Sequence, residues 1–387
     1  MIHRFISKRY WADQSTQMGK VDELSKGFED LINLSLGDPD IITHSLIIDK
    51  SYKDALAGHT KYTDFRGDPE LRAEILKMYR VDWNLVLNDS EIMVVASGCL
   101  AMYLVLEAIL DDGDEVIIHA PYFTPYLQQI ELARGVPVVL DTIEEESFQI
   151  NLERLERLIT ERTKAIIINT PNNPSGACFS RDTMEQVSEL AIKHDLIIIA
   201  DDIYGSYSFS EPFIPMITID NIRDRTITIN SFSKDYAMTG WRIGHVIAPD
   251  YIIHTIQQIN ENVVFTAPSI SQRAAIHALQ NRHMIQPGLV AEYRKRVMYA
   301  AERINNISNM SVLSPKGTFY LFVNIKKTGL TSTQASEAIL RDAHVLTIPG
   351  IAFGDCGEGY VRIACTVGVE TLKEAFDRIA KMQIFSK

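Results

Sequence analysis

Cysteine is scarce in this chain. There are four in 387 residues, and Cys99, Cys178, Cys356 and Cys365 show neither CxxC pairing nor the spacing of a metal site. A zinc centre and a disulfide framework are therefore not expected, and singly placed thiols suit a reducing compartment. Long apolar runs are also missing. Nothing approaches the ~20 residues needed to span a bilayer, and the opening Met1-Ile-His-Arg-Phe-Ile-Ser-Lys-Arg-Tyr10 has no signal-like apolar core. The expectation is a cytoplasmic protein with no membrane partner. Positive charge is in deficit, with 38 Lys and Arg against 50 Asp and Glu and a net charge of −12. Such a field repels nucleic acid and anionic lipid on average, yet it permits local basic pockets for small anions.

What is present is an ordinary globular composition, 46% hydrophobic and 23% charged, in a chain long enough for two domains. Between about Glu91 and Ala248, short β-branched runs alternate with helical patterns. The runs are Ile92–Val95, Glu115–Ile118, Val136–Leu140, Lys164–Ile168, Leu196–Ile199, Thr226–Ile229 and Ile243–Ile247. That alternation predicts an α/β fold with a mostly parallel central sheet covered on both faces. Leu100 to Leu110 is apolar almost all round and predicts a buried helix, ended by Asp111-Asp112-Gly113. Leu152–Thr160 and Arg181–His194 are amphipathic and suit covering helices. Beyond about Ala275 the pattern changes to a long polar helix around Pro287–Asn305, then strands at Ser311–Leu313, Phe319–Val323 and Tyr360–Ala364. This predicts a smaller α+β domain made of residues 1–36 and 277–387, beside a large domain of residues 37–276.

In open α/β sheets, ligands bind outside the carboxyl ends of the strands, and here those ends hold the unusual residues. Ala96-Ser97-Gly98-Cys99 is a tight turn into the buried helix, a place where free N–H groups and the helix dipole can hold a phosphate. Asn173 and Pro174 follow the fourth run, Asp201, Asp202 and Tyr204 the fifth, and Ser231-Phe-Ser-Lys234 the sixth, with Arg242 eight residues on. Singly, Asn173-Pro174 reads equally as a turn, Asp201 as a helix cap and Lys234 as a solvated charge. Together, a lysine, a carboxylate, a phenol, an amide and a phosphate cradle on one sheet edge are the partners that pyridoxal phosphate requires. The lysine forms an imine with it, and the carboxylate keeps its ring nitrogen protonated so that the ring accepts electrons. Hydroxyl and cationic groups hold its phosphate.

The chain resembles the class I/II aminotransferases of fold type I, including the bacterial aspartate and aromatic branch. The likeness runs from Asn33-Leu-Ser-Leu-Gly37-Asp-Pro39 through Tyr62-Thr-Asp-Phe-Arg-Gly67 to Gly359-Tyr-Val-Arg362-Ile. Its most specific stretch is Ser231-Phe-Ser-Lys234-Asp-Tyr-Ala-Met-Thr-Gly-Trp241-Arg242-Ile-Gly244. The resemblance implies Lys234 as the Schiff-base lysine and Asp201 as the partner of the ring nitrogen. It implies Tyr204 and Asn173 as partners of the ring oxygen, and Ser97, Gly98, Cys99, Ser231 and Arg242 as phosphate ligands. An aromatic ring stacked on the cofactor falls at Phe123, although the adjacent Tyr122 is an alternative. Arg362 falls at the arginine that grips the substrate α-carboxylate, where a two-point fork fixes the α-carbon as a lysine would not. The Gly37 backbone assists it. Tyr62 is implied as a phosphate ligand of the neighbouring subunit, which makes the expected assembly a homodimer with shared sites. Two positions depart from the common pattern: Cys99, where a hydroxyl, lysine or small residue is frequent, and Asp202, where glutamate is frequent.

The implied activity transfers an amino group between an α-amino acid and a 2-oxo acid by a ping-pong route, with Lys234 as general base. A competing reading is a pyridoxal phosphate C–S β-lyase, which would share the proton abstraction but expel a β-leaving group. Another is a ligand-sensing regulator, against which stand the acidic charge and the short stretch before the cofactor motifs. No second arginine dedicated to a dicarboxylate is identifiable, so the side chain of the substrate is not readable.

Overall fold

The computed structural model describes residues 4–11 and 27–385, so the expected membership of residues 1–36 in the smaller domain lies partly outside the described residues. In chain order the strands are β1 (Ile32–Asn33), β2 (Ile92–Val95), β3 (Glu115–Ala120), β4 (Val136–Asp141), β5 (Thr163–Asn169) and β6 (Ile197–Asp201). They continue with β7 (Thr226–Ser231), β8 (Gly244–Ile247), β9 (Tyr320–Asn324), β10 (Val345–Leu346), β11 (Ile348–Pro349) and β12 (Tyr360–Ala364). All seven of the β-branched runs between Glu91 and Ala248 form strands of one sheet, ordered β2-β8-β7-β6-β5-β3-β4. Pairing is parallel except at β8, which runs antiparallel to both β2 and β7.

Burial explains why these runs are continuous rather than alternating. Every residue of β2 and β3 is buried, whereas the edge strand β4 is half exposed. One face of the sheet packs against helices Gly98–Ile109, Pro125–Leu132 and Asp250–Val263, through residues such as Met102, Val105, Ile130 and Ile256. The other packs against Leu152–Leu158 and Arg181–Lys193, through Leu155, Met184 and Val187. Helix Gly98–Ile109 is buried as expected. It gives way to extended backbone at Leu110, and Gly113 turns the chain at φ +91°. Each fully buried Leu, Val or Ile on these faces contributes roughly 1.5–3 kcal/mol of transfer free energy.

The smaller α+β part has a three-stranded antiparallel sheet, β11-β12-β9, and a parallel β1-β10 pair. Helices Arg282–Asn305, Ser332–Ala343 and Val369–Ile379 close it over Tyr293, Val297, Phe319, Ile339 and Phe376. Two expectations change here. The strand expected at Ser311–Leu313 is only a single bridge from Ser311 to Asn324, and the side chain of Asn305 takes the N–H and the carbonyl of Val312 on the side facing away from β9. The long helix begins at Arg282 rather than near Pro287. Arg282 is anchored to Asp82 at 2.6 and 2.8 Å, and Ile285 is buried, so the proline is carried inside the helix. Among the described residues, no helix is long and apolar enough to cross a membrane.

Candidate active site

The register of the central sheet brings its unusual residues to one edge. Asn169 pairs with Asp201 across β5 and β6, and both Val95 and Ser231 pair with Gly244. Because β8 runs the opposite way, its first residue lies where β2 and β7 finish, which puts Arg242 beside Ser97 and Ser231. The edge opens on a cavity of about 600 Å³ whose lining includes Gly37, Ser97, Gly98, Cys99, Phe123, Asn173, Asp201, Tyr204, Ser231, Lys234, Arg242 and Arg362. Twelve of the thirteen residues singled out in the sequence therefore converge. The thirteenth, Tyr62, is 81% exposed, lies outside this cavity, and packs edge-on against Phe265 at 4.8 Å.

The Ser97-Gly98-Cys99 turn is strained into shape. Ser97 sits at φ +100°, a region costing a non-glycine residue on the order of 1–3 kcal/mol. Its Oγ caps the helix by accepting from the N–H of Leu100 at 3.3 Å. A Cβ on the next residue, Gly98, would lie 2.8 Å from Ile203 Cδ1 and push that side chain aside. The first N–H groups of a helix have no partner within it, and Ser97, Gly98 and Cys99 at this helix start line the cavity. Ser231 Oγ donates to Ser233 Oγ at 2.9 Å, and Arg242 Nη1 donates to the carbonyl of Thr239 at 2.8 Å.

Asp201 is buried at the end of β6. Tyr126 donates its hydroxyl to Oδ2, Ile203 N–H reaches Oδ1 at 3.4 Å, and Asn169 Nδ2 donates to the main-chain carbonyl at 3.1 Å. No cation pairs with Asp201 among the described residues, and burial pushes its carboxyl up to about 6, against the opposing effect of the Tyr126 bond. Asp202 is buried too but does not line the cavity; burial, then the neighbouring Asp201, holds its carboxyl well above the usual range.

Lys234 Nζ donates to the carbonyl of Gly37 at 2.5 Å. Burial draws its amine down to about 8, with Asp38 opposing the shift. Gly37 is required by a close approach, because a Cβ there would occupy the position of the Tyr320 hydroxyl. That hydroxyl shares a hydrogen bond of 3.0 Å with Tyr204.

Arg362, in the middle of β12, is buried between the rings of Tyr320 and Phe353, at 4.6 and 4.9 Å. Nη1 donates to Asn173 Oδ1 at 3.1 Å and Nη2 to the carbonyl of Ser35 at 2.5 Å, while Nε is left without a partner. Among the described residues no carboxylate pairs with it, and burial lowers its pKa. The cavity thus holds a buried anion and a buried cation, each without a counter-ion, and a buried amine.

Several lining residues escaped the sequence reading: Tyr126, Asn169, Ser233, Tyr320 and Asp38. Ser233, inside the lysine motif, and Asp38, inside Asn33–Pro39, lay in stretches that carried a local signal. Of the two aromatic candidates, Phe123 faces the cavity, while Tyr122 is buried behind it and its N–H is tied to the carbonyl of Phe353.

The family model for aminotransferase class I and II matches residues 29–379. The aspartate aminotransferase of Pyrococcus abyssi is 38% identical over 373 residues, with 95% of each chain covered. The aromatic-amino-acid aminotransferase 2 of Thermococcus litoralis is 34% identical, covering 97% of this chain and 98% of its own. In three dimensions, the aspartate aminotransferase from Thermus thermophilus with maleate superposes with a TM-score of 0.93 at 30% identity, over 98% of this chain and all of the other. A match of this extent, on top of a cavity with a buried amine between uncompensated charges, makes the chain an aminotransferase that belongs to class I and II.

Proposed function

We propose that the protein carries pyridoxal phosphate covalently on Lys234 and moves amino groups between an α-amino acid and a 2-oxo acid in two half-reactions. The observation that carries this reading is the pair of uncompensated buried charges. A buried carboxylate without a cation is costly unless a cation arrives, and the same holds for a buried guanidinium without an anion. Asp201 fits a protonated ring nitrogen, and Arg362, with its Nε unpartnered, fits a carboxylate. The donor set fits the rest of the cofactor: an amine held near 8 for the covalent bond, the Ser97–Cys99 turn with Ser231 and Arg242 for the phosphate, and Tyr204 and Asn173 for the ring oxygen.

When bound, the cofactor supplies an electron sink for the substrate α-carbon. The chain's own residues do the rest. Arg362, aided by Asn173 and the Gly37 backbone, binds the α-carboxylate and so aims the α-hydrogen. Lys234 Nζ, whose buried amine loses its proton more easily than an exposed one, takes that proton and gives it back. Asp201 would hold the proton on the ring nitrogen, and Phe123, which lines the same cavity, would pack against the ring.

Homodimerisation and a cytoplasmic setting belong to the same reading, as does a division into residues 37–276 and residues 1–36 with 277–387. Support for the dimer comes from the apolar side chains left in solvent on one stretch of chain, Ile42 at 80%, Tyr52 at 64%, Leu56 at 73% and Tyr62 at 81% exposure. The four free cysteines support the compartment.

A half-reaction screen tests the function. Protein loaded with pyridoxal phosphate is mixed with single amino acids and no acceptor. One equivalent of 2-oxo acid per site, with no further release until a second 2-oxo acid is added, is expected. Continuous pyruvate formation from cystathionine without an acceptor would instead make the protein a C–S β-lyase.

A further inference from the structure

We propose that Tyr126 is a positioning residue for Asp201: by donating to Oδ2 it fixes the plane of the carboxylate and leaves Oδ1 to receive the ring nitrogen of the bound cofactor. The inference rests on the assignment of Asp201 to that nitrogen. Tyr126 is the second residue of helix Pro125–Leu132, which starts just past the end of β3, and the proline at its first position sets the entry angle. The phenol ring is held on its own side by Phe123, edge-on at 5.5 Å, and both Tyr126 and Asp201 are buried. The hydroxyl therefore has little freedom to leave the carboxylate, and the competing donor at Oδ1, the N–H of Ile203 at 3.4 Å, is weak.

A hydrogen bond donated to a carboxylate favours its charged form. Within the protein the Tyr126 hydroxyl is the largest influence opposing the rise that burial imposes on Asp201. The other titratable groups around Asp201 are Asp202, Tyr204 and Cys99, with Lys234, Arg242 and Arg362 lining the same cavity. None of these is hydrogen-bonded to the Asp201 carboxylate. Removing the hydroxyl frees the carboxylate to turn and raises its proton affinity. Near pH 6.5 a protonated ring nitrogen would then meet a neutral carboxyl rather than an anion.

The test uses Tyr126→Phe, which keeps the ring and its packing, in the full-length protein. In the cofactor-free form, the 13C-carboxyl signal of Asp201, assigned by its loss in Asp201→Asn, should titrate near 6 in the wild type and about one unit higher in the variant. Affinity for pyridoxal phosphate at pH 6.5 should fall about threefold and recover above pH 8.5, where both proteins are ionised. Affinity for the analogue with carbon in place of the ring nitrogen should be unchanged at both pH values. An unmoved titration midpoint, or equal losses for both ligands, would reduce Tyr126 to a packing residue and overturn the proposal. Failure of the wild type to bind pyridoxal phosphate would count against the functional reading itself, which keeps the two outcomes separate.

Discussion

The cavity has two walls built on opposite electrostatic plans. On the central-sheet side, the buried charge is Asp201, a group that can gain or lose a proton, held by a phenol and a main-chain N–H. On the smaller-sheet side it is Arg362, which stays protonated and is clamped between two rings, a carbonyl and an amide. A titratable anion suits a resident ring whose proton it must share. A permanent cation with a free N–H suits carboxylates that come and go. On the proposed reading, the division assigns cofactor and substrate to different parts of the molecule, with Lys234 reaching from one toward the other through its bond to Gly37.

Substitutions on either wall can break this division. Lys234→Ala should have the largest effect, abolishing covalent cofactor attachment and turnover while leaving a non-covalent complex, since no other lysine lines the cavity. A visible band reducible by borohydride in this variant would remove Lys234 from the mechanism. Asp201→Ala should keep the covalent attachment but cost ~3–5 kcal/mol in the chemical step, as expected when one partner of a buried charge pair is lost; single-turnover rates with a good donor measure this. Arg362→Lys should weaken every amino acid and 2-oxo acid alike by ~1.5–3 kcal/mol with cofactor affinity nearly unchanged. A loss confined to one substrate would move Arg362 from the carboxylate to the side-chain pocket. The smallest effect is expected from Tyr62→Phe, ~1 kcal/mol in cofactor affinity. Mixing Tyr62→Phe chains with an excess of Lys234→Ala chains should return the cofactor affinity of the imine-forming sites to the wild-type value, because that site of the mixed dimer would have both residues intact. No recovery after verified subunit exchange would put Tyr62 back within its own chain.

The two walls also differ in how far the sequence disclosed them. Lys234, Asp201, Ser97 and Ser231 stand at or just beyond the ends of β-branched runs, and a parallel sheet brings such ends together whatever the details of packing. Arg362 was legible through its motif, but its surroundings were not: Ser35, Asn173, Tyr320 and Phe353 come from four distant segments, and no periodicity says which face of β9 meets Gly37. Tyr126 was missed because its hydroxyl finds Asp201 across 75 positions. The misplaced strand at Ser311–Leu313 has the same origin. Its apolar residues have strand propensity, yet beyond the Ser311 bridge the outward N–H and carbonyl of Val312 are held by a side chain from a helix rather than by another strand.

The protonation of Lys234 offers a further check on the sheet wall. With its amine near 8, the rate at which cofactor-free protein captures pyridoxal phosphate should rise with pH and level off above about 8. An exposed lysine would keep gaining rate toward ~10.4. Below the midpoint the amine is charged and cannot attack, so capture at pH 6 should be slower by roughly a hundredfold.

The central claim is that the chain holds its cofactor through Lys234, and borohydride reduction followed by peptide mapping tests it most directly. Loaded protein should yield one pyridoxyl-labelled peptide, the one containing Ser231-Phe-Ser-Lys234, and prior treatment with an amino donor should prevent the labelling. A label on another lysine, or none on protein that turns over, would contradict the account.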